Sequence, residues 1–312
     1  MSSTGSVLRT QPPGHGDPAP PRGGLLGGLV REARPRQWVK NILVFAAPLA
    51  AGRLAELDVL LATLLAFAAL SLAASGTYYL NDARDVESDR QHPTKRNRPI
   101  AAGTIPLGLG YGVSAGLLLA GLALAATGGW PLLAVVAGYV GLTVSYSLRL
   151  KHVALMDLVA VSGGFVLRAV AGAAAAGIEI SQWFLIVATF GSLFMVAGKR
   201  YAEFVLMGEE RARTRASLAS YTLSYLHFVW TSAAVITVMA YCLYAFEVGA
   251  GPEAFPFAEL SALPFVVAIL RYALIVDRGD AGTPEEVVLG DRQLQVLGLA
   301  WLVIFSAGVV VG

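Results

Sequence analysis

The feature that most limits the folds open to this chain is a series of apolar runs too long for a soluble protein. We place membrane spans at 39–54, 58–80, 106–127, 131–148, 154–176, 182–199, 222–246, 260–277 and 293–311, nine in all. Most match the ~20 residues a helix needs to cross a hydrocarbon core of ~30 Å. With 56% hydrophobic and only 14% charged residues, and a mean hydropathy of +0.63, the chain lacks the polar surface of a soluble domain. Lipid offers the backbone no hydrogen bonds, and a helix satisfies its own. The expected fold class is therefore all-α: a polytopic membrane bundle of about nine transmembrane helices with a cytoplasmic polar cap. Span 39–54 is the weakest, because Pro48 and Arg53 shorten its apolar run. A merged or re-entrant first hairpin is the alternative.

Basic residues collect in cytoplasmic loops, so their positions test the layout. Of 23 Lys and Arg residues, Arg53 alone falls on the outer side and Arg168 alone lies deep in a span; the other 21 lie in the N-terminal tail, at inner helix ends or in the loops after spans 2, 4, 6 and 8. This puts the N-terminus in the cytoplasm and the C-terminus outside, in the inner (plasma) membrane. Trp130, Trp183, Tyr241 and Tyr244 suit an outer aromatic belt, and Trp38, Tyr221 and Tyr225 an inner one. Residues 1–30 are rich in Pro, Gly and Ser and lack an apolar signal core, which reads as a disordered cytoplasmic tail and not a signal peptide. Residues 31–312 then form one transmembrane domain. The single cysteine, Cys242, lies mid-span and reads as core.

Against this background the stretch "NDARDVESDRQHPTKRNRP", residues 81–99, is anomalous: it crowds acids and bases against the end of an apolar helix. On a continuous helix, Asp82, Asp85 and Asp89 at i, i+3 and i+7 fall within a stripe of ~60°, with Asn81 at its border. Like charges so close repel, and a divalent cation removes the cost. Oxygen ligands of this kind suit Mg²⁺, which usually keeps waters and bridges one or two carboxylates to a phosphate. Asn81, Asp82, Asp85 and Asp89 are thus the candidate Mg²⁺ ligands; a solvated helix end is the plainer reading.

Three further segments share this character, "RPRQWVKN" (34–41), "YSLRLKH" (146–152) and "GKRYAEF" (198–204), each at an inner helix end. The chain has 19 Arg and four Lys, and the four are Lys40, Lys95, Lys151 and Lys199, one in each segment. An ammonium suits phosphate oxygens, whereas Arg favours planar bidentate pairing. These four lysines are candidate phosphate contacts. In span 5, Asp157, Val161, Gly164 and Arg168 share one stripe, with Arg168 ~16 Å along the axis from Asp157. An arginine at that depth faces the bundle interior, where it holds helices together or binds substrate; we favour the structural role. His92 and His152 read as hydrogen-bonding loop residues, and no glycine-rich phosphate loop or Ser-His-Asp order is present.

"NDARDVESD" resembles the NDxxDxxxD motif of the UbiA superfamily of intramembrane prenyltransferases, and the resemblance runs from about residue 31 to the C-terminus. It implies a nine-helix bundle, a Mg²⁺-bound diphosphate on the cytoplasmic side and a lateral opening for a long isoprenoid. Most members carry a second aspartate-rich motif after helix 6, where this chain has Lys199 and Arg200, and only Glu203 remains acidic. "RPRQWVKN" and "HPTKRNRPIAAG" resemble instead the branch that joins 5-phosphoribosyl 1-pyrophosphate (PRPP) to polyprenyl (decaprenyl) phosphate in arabinan-building actinobacteria. A site that holds a lipid phosphate, a pyrophosphate and a 5-phosphate together needs more cations.

The resemblance therefore implies a Mg²⁺-dependent transferase whose partners are PRPP, polyprenyl phosphate and membrane lipids. It leaves a homo-oligomer open, and no nucleic acid is expected. Asp82, Asp85, Asp89 and Lys95 would carry catalysis, with Asn81 assisting the metal and Arg98 beside the leaving group. Lys199, Arg200, Tyr201 and Glu203 would take the 5-phosphate and ribose, and Arg36, Lys40, Tyr146 and Lys151, with Asp157, the remaining substrate contacts. Two alternatives stay open: transfer of a polyprenyl group to an aromatic acceptor, and a non-enzymatic transporter or lipid-binding scaffold.

Overall fold

The computed structural model describes residues 24–207, 220–248, 255–278 and 284–311. These are almost wholly helical, and eight helices are long and apolar enough to cross a membrane. In chain order, α1 is Leu25–Ala33, followed by a 3-10 segment Pro35–Phe45 and the short α2, Ala46–Ala50. Then come α3 (Leu57–Arg84), α4 (Val86–Gln91), α5 (Leu107–Thr127), α6 (Trp130–Leu148), α7 (Met156–Ala176) and α8 (Gln182–Met207). The last four are α9 (Leu223–Val248), α10 (Phe257–Asp277), α11 (Pro284–Gly290) and α12 (Arg292–Val311).

The first expected span, 39–54, is the one that is not a continuous α-helix. Pro35 opens the 3-10 segment that leads into it and Pro48 interrupts it, and neither can donate to a helical ladder. Its tighter 3-10 winding presses the chain against α7, where a methyl added to Gly172 would overlap the Val44 carbonyl oxygen. Only glycine leaves that notch open. Arg168 of α7 fastens the same contact: its Nε donates to Asn41 Oδ1 at 2.8 Å and its two terminal nitrogens to the Gly164 carbonyl at 2.8 Å and Tyr139 Oη at 2.7 Å. The guanidinium also lies 4.7 Å from the Tyr139 ring centre. A buried arginine needs such acceptors to remain inside a bundle, and here they come from three elements. This is the structural role favoured from the sequence.

Around α7 the helices pack as two groups. α3, α5 and α6 enclose one core with α7, centred on Leu70, Leu132 and Val136; α8, α9 and α10 enclose another, centred on Phe194, Leu226 and Trp230. Helix α12 packs along α10. Residues 25–30, expected within the tail, belong to α1. Leu29 and Ala33 pack beside Tyr79, Ile100 and Ile105, and Tyr79 Oη donates to the Leu29 carbonyl at 2.7 Å. Tertiary packing thus overrides the low helix propensity of Gly27-Gly28. The rest of that tail expectation, residues 1–23, lies outside the described residues.

Candidate active site

Sequence distant segments meet where α3 ends. Asp82 is in its last turn and 1% exposed, while Asp85 caps the helix with φ −90° and ψ 8°, and α4 restarts at Val86. The expected unbroken stripe of three carboxylates is therefore interrupted at its middle member. Asp82 and Asp89 turn inward, and Asp85, on the break, turns toward the connection after α6. There Lys151 Nζ lies 2.8 Å from both Asp85 oxygens.

Arg98 bridges the two inward acids. One nitrogen, Nη1, is 3.0 Å from Asp82 Oδ1 and 2.7 Å from Asp89 Oδ2, so both carboxylates converge on a single cationic centre. Burial pushes the Asp89 carboxyl up from its ordinary range, with Arg98 pulling it down in part and Lys95 adding a weaker attraction. Asn81 lies beside Asp82, its Nδ2 3.4 Å from Oδ1. His92 Nδ1 accepts from the Thr94 and Lys95 backbone amides at 3.3 and 3.4 Å, as expected of a loop histidine.

Two members of this cluster were not anticipated. Arg34, at the C-terminus of α1, pairs with Asp82 Oδ2 and stacks 4.9 Å from the Tyr78 ring centre. Its φ of 52° is left-handed, a costly conformation for a residue with a Cβ. Glu32, two residues earlier, is 1% exposed and faces Asp82. Burial first, and the Asp82 carboxylate second, push its carboxyl up to about 8, only partly offset by Arg34 and the Ile100 amide. The sequence did carry one signal for it: Glu32 is the only acid between Asp17 and Glu56, in a stretch otherwise basic.

The "GKRYAEF" segment behaves differently from expectation, because α8 runs straight through it to Met207. Arg200 is buried and spends its guanidinium internally: Nε lies 2.7 Å from Asp157 Oδ2 and Nη1 2.9 Å from Glu203 Oε2. Tyr146 Oη donates to Asp157 Oδ1 at 2.9 Å. Tyr201 turns toward α10, its hydroxyl 3.3 Å from Asp277 Oδ1 and its ring stacked on Trp230, and so does not join the acidic cluster. Lys199, Lys40 and Lys95 are half-buried, and Arg36 is exposed.

Among the described residues no group of three acids, histidines or cysteines forms a ready metal cage. The donor set nevertheless fits Mg²⁺. Two buried carboxylates already aimed at one cation are its usual protein contribution, the remaining positions being taken by phosphate oxygens and water.

Beyond the charged end, a cavity of about 620 Å³ opens between the 3-10 segment, α7, α8, α9, α10 and α12. Phe45, Phe165, Trp183, Tyr241, Phe265 and Trp301 give it an apolar lining. Its nearest α7 residue, Phe165, is ~12 Å along the helix from Asp157.

The family model described as "UbiA prenyltransferase family" matches residues 42–306. The chain belongs to that family. As a UbiA protein it is a multi-pass membrane protein. It is 51% identical over 288 residues to the decaprenyl-phosphate phosphoribosyltransferase of Corynebacterium glutamicum, covering 91% of this chain and 86% of the relative. The enzyme of the same name from Mycobacterium tuberculosis is 48% identical over 311 residues, covering 97% and 98%. Among solved structures, a UbiA homolog from Archaeoglobus fulgidus bound to GPP and Mg²⁺ superposes with a TM-score of 0.68 at 18% identity, covering 91% of this chain and 99% of that one. A digeranylgeranylglyceryl phosphate synthase does so with a TM-score of 0.65 at 19% identity, covering 92% and 99%. These structures share the UbiA fold.

Proposed function

We propose that this chain transfers the 5-phosphoribosyl group of PRPP to polyprenyl phosphate, decaprenyl phosphate in particular, with release of pyrophosphate on the cytoplasmic side of the plasma membrane. The observation that carries the reading is near-half identity along almost the full length of two enzymes named for decaprenyl-phosphate phosphoribosyl transfer. The site's charge distribution supports it. Arg34, Arg98 and Lys151 each hold a carboxylate and are each partly exposed, which supports a role for all three in turning toward substrate phosphates.

In this reading Asp82 and Asp89, with Asp85 and Asn81 at the edge, would hold Mg²⁺, which when bound would supply positive charge to offset that building on the pyrophosphate leaving group. Lys95 and Arg98 flank the same oxygens and add preorganised positive charge. The bond from ribose C1 to the pyrophosphate oxygen breaks, a phosphate oxygen of the lipid attacks C1 from the opposite face, and the anomeric centre inverts. The nucleophile is already ionised at neutral pH, which leaves no task for a general base. Lys199 and Glu203 serve the 5-phosphate and ribose side, with Arg200, Asp157 and Tyr146 as the scaffold that fixes them. Arg36 and Lys40, on the segment leading into the cavity, attract the lipid phosphate. The cavity takes the first part of the isoprenoid, for which burial suffices.

Purified protein in lipid nanodiscs, given labelled PRPP, polyprenyl phosphate and Mg²⁺, is expected to yield lipid-linked label and stoichiometric pyrophosphate. Label absent from lipid, beside transfer from a prenyl diphosphate to an aromatic acid, would replace this reading with the prenyltransferase one. The transporter or scaffold reading finds little support. The deepest charge, Arg168, is spent on neutral acceptors that hold helices together.

A further inference from the structure

Glu32 has no part in the reaction as described, yet it is the least expected charge in the molecule. It sits on α1, a nine-residue helix outside the bundle proper, and is 1% exposed. Neither carboxyl oxygen completes a well-formed hydrogen bond; its polar neighbours are the Asp82 carboxylate and the Ile100 amide, and Arg34 is engaged by Asp82. A buried carboxylate with so little hydrogen-bond support is expensive, and one facing a second carboxylate more so. α1 is nevertheless held in place by specific bonds on either side of it: Tyr79 Oη donates to the Leu29 carbonyl at 2.7 Å and Ser75 Oγ to the Ala33 carbonyl at 2.9 Å. Gly28 sits so close to Thr104 that an added methyl would meet its Cγ2 at 3.0 Å. The packing thus fixes the acid against Asp82.

From this placement we infer that Glu32 is a further carboxylate of the divalent-cation site, delivered by α1 to the side of Asp82 away from Asp89. The inference rests on the proposed function, since it assigns a residue to that same metal–pyrophosphate site. Two acids locked face to face are stabilised by a shared positive occupant, and the loaded enzyme supplies one. Ion binding then ties α1, and with it the entrance to the 3-10 segment, to the end of α3. A consequence is that the metal and α1 order each other.

The test uses the full-length protein in nanodiscs, with Mn²⁺ as probe and pyrophosphate present, reading bound Mn²⁺ by electron paramagnetic resonance. Glu32→Gln keeps the volume and removes the charge. It is expected to weaken Mn²⁺ binding roughly tenfold or more, with a melting temperature in the absence of metal at or above that of the unaltered protein. Glu32→Asp, which restores the charge on a shorter arm, is expected to recover part of the affinity. Equal Mn²⁺ affinity in E32Q and the unaltered protein overturns the inference and leaves Glu32 a neutral packing acid. Asp89→Asn separates the two readings. If D89N also binds Mn²⁺ normally, the proposed metal site itself is wrong; if D89N loses binding and E32Q does not, only Glu32 is misassigned. Should E32Q fail to assemble, amide exchange in the unaltered protein decides: added Mg²⁺ and pyrophosphate are expected to slow exchange across 28–34, and slowing confined to α4 overturns the inference.

Discussion

The two charged clusters at this end of the bundle contain similar groups and have opposite characters. At the end of α3, three aspartates and Glu32 meet Arg34, Arg98 and Lys151, whose side chains are 28%, 26% and 18% exposed. At the end of α7, Asp157 meets Arg200 at 0% and 4% exposure. A guanidinium that keeps a quarter of its surface in water can leave a carboxylate for a phosphate at small cost. One enclosed between two acids cannot, because the departure strands a buried charge. The first cluster is therefore built to exchange partners and the second to stay closed.

This contrast is sharpest in a pair of substitutions expected to give the largest effects, in different measurements. Asp89→Asn removes half of the convergent acid pair while Asp82 still holds Arg98. We expect transfer of label from PRPP to lipid to fall roughly 10³-fold, worth ~4 kcal/mol of transition-state stabilisation, with little change in melting temperature. Arg200→Met should reverse the pattern. Breaking a buried pair by removing one partner costs ~3–5 kcal/mol, so the variant should lose folded protein before it loses specific activity. Equal loss of folded protein in both variants would erase the distinction between the clusters.

A smaller effect tests whether exchange is real. Lys151 holds Asp85 and in the proposed reaction turns toward phosphate. Lys151→Met is expected to raise the KM for PRPP about tenfold, consistent with loss of one charge-assisted contact of ~1.5 kcal/mol, and to leave kcat within a few-fold. If kcat falls instead and KM holds, Lys151 acts in the transition state and belongs with Lys95.

Much of this was legible in the sequence, and the failures have physical causes. Apolar length located eight long helices because the bilayer imposes it from outside. The acidic motif announced itself because like charges at helical spacing need a reason. Arg200, expected among the substrate contacts, pairs with Asp157 43 positions away, and loop composition carries no sign of that pairing. Asp85 left its expected stripe because the helix breaks at that residue, and helical spacing assumes that it does not. Glu32 reads locally as one acid in a basic stretch, and its meaning depends on α1 packing through Leu29 and Ala33 beside Tyr79 and Ile105. Local pattern reveals what a segment needs; it does not reveal which distant segment supplies it.

The least of these effects concerns the hinge that carries the first cluster's outermost members. Arg34 sits at φ 52° between α1 and the 3-10 segment, whereas Arg200 lies inside an ordinary helix. A left-handed backbone costs a residue with a Cβ ~1–2 kcal/mol that glycine does not incur. Arg34→Ala and Arg34→Gly both delete the ion pair to Asp82, so their difference isolates the backbone term. R34G is expected to be the more stable of the two by ~1 kcal/mol, read as a higher midpoint in thermal melts, while both lose PRPP affinity to the same extent. If R34A proves the more stable, the hinge is unstrained, and its left-handed turn serves only to end α1. If it is R34G, the protein keeps a strained arginine there because the side chain, reaching Asp82 from that one backbone conformation, contributes more to the site than the strain removes.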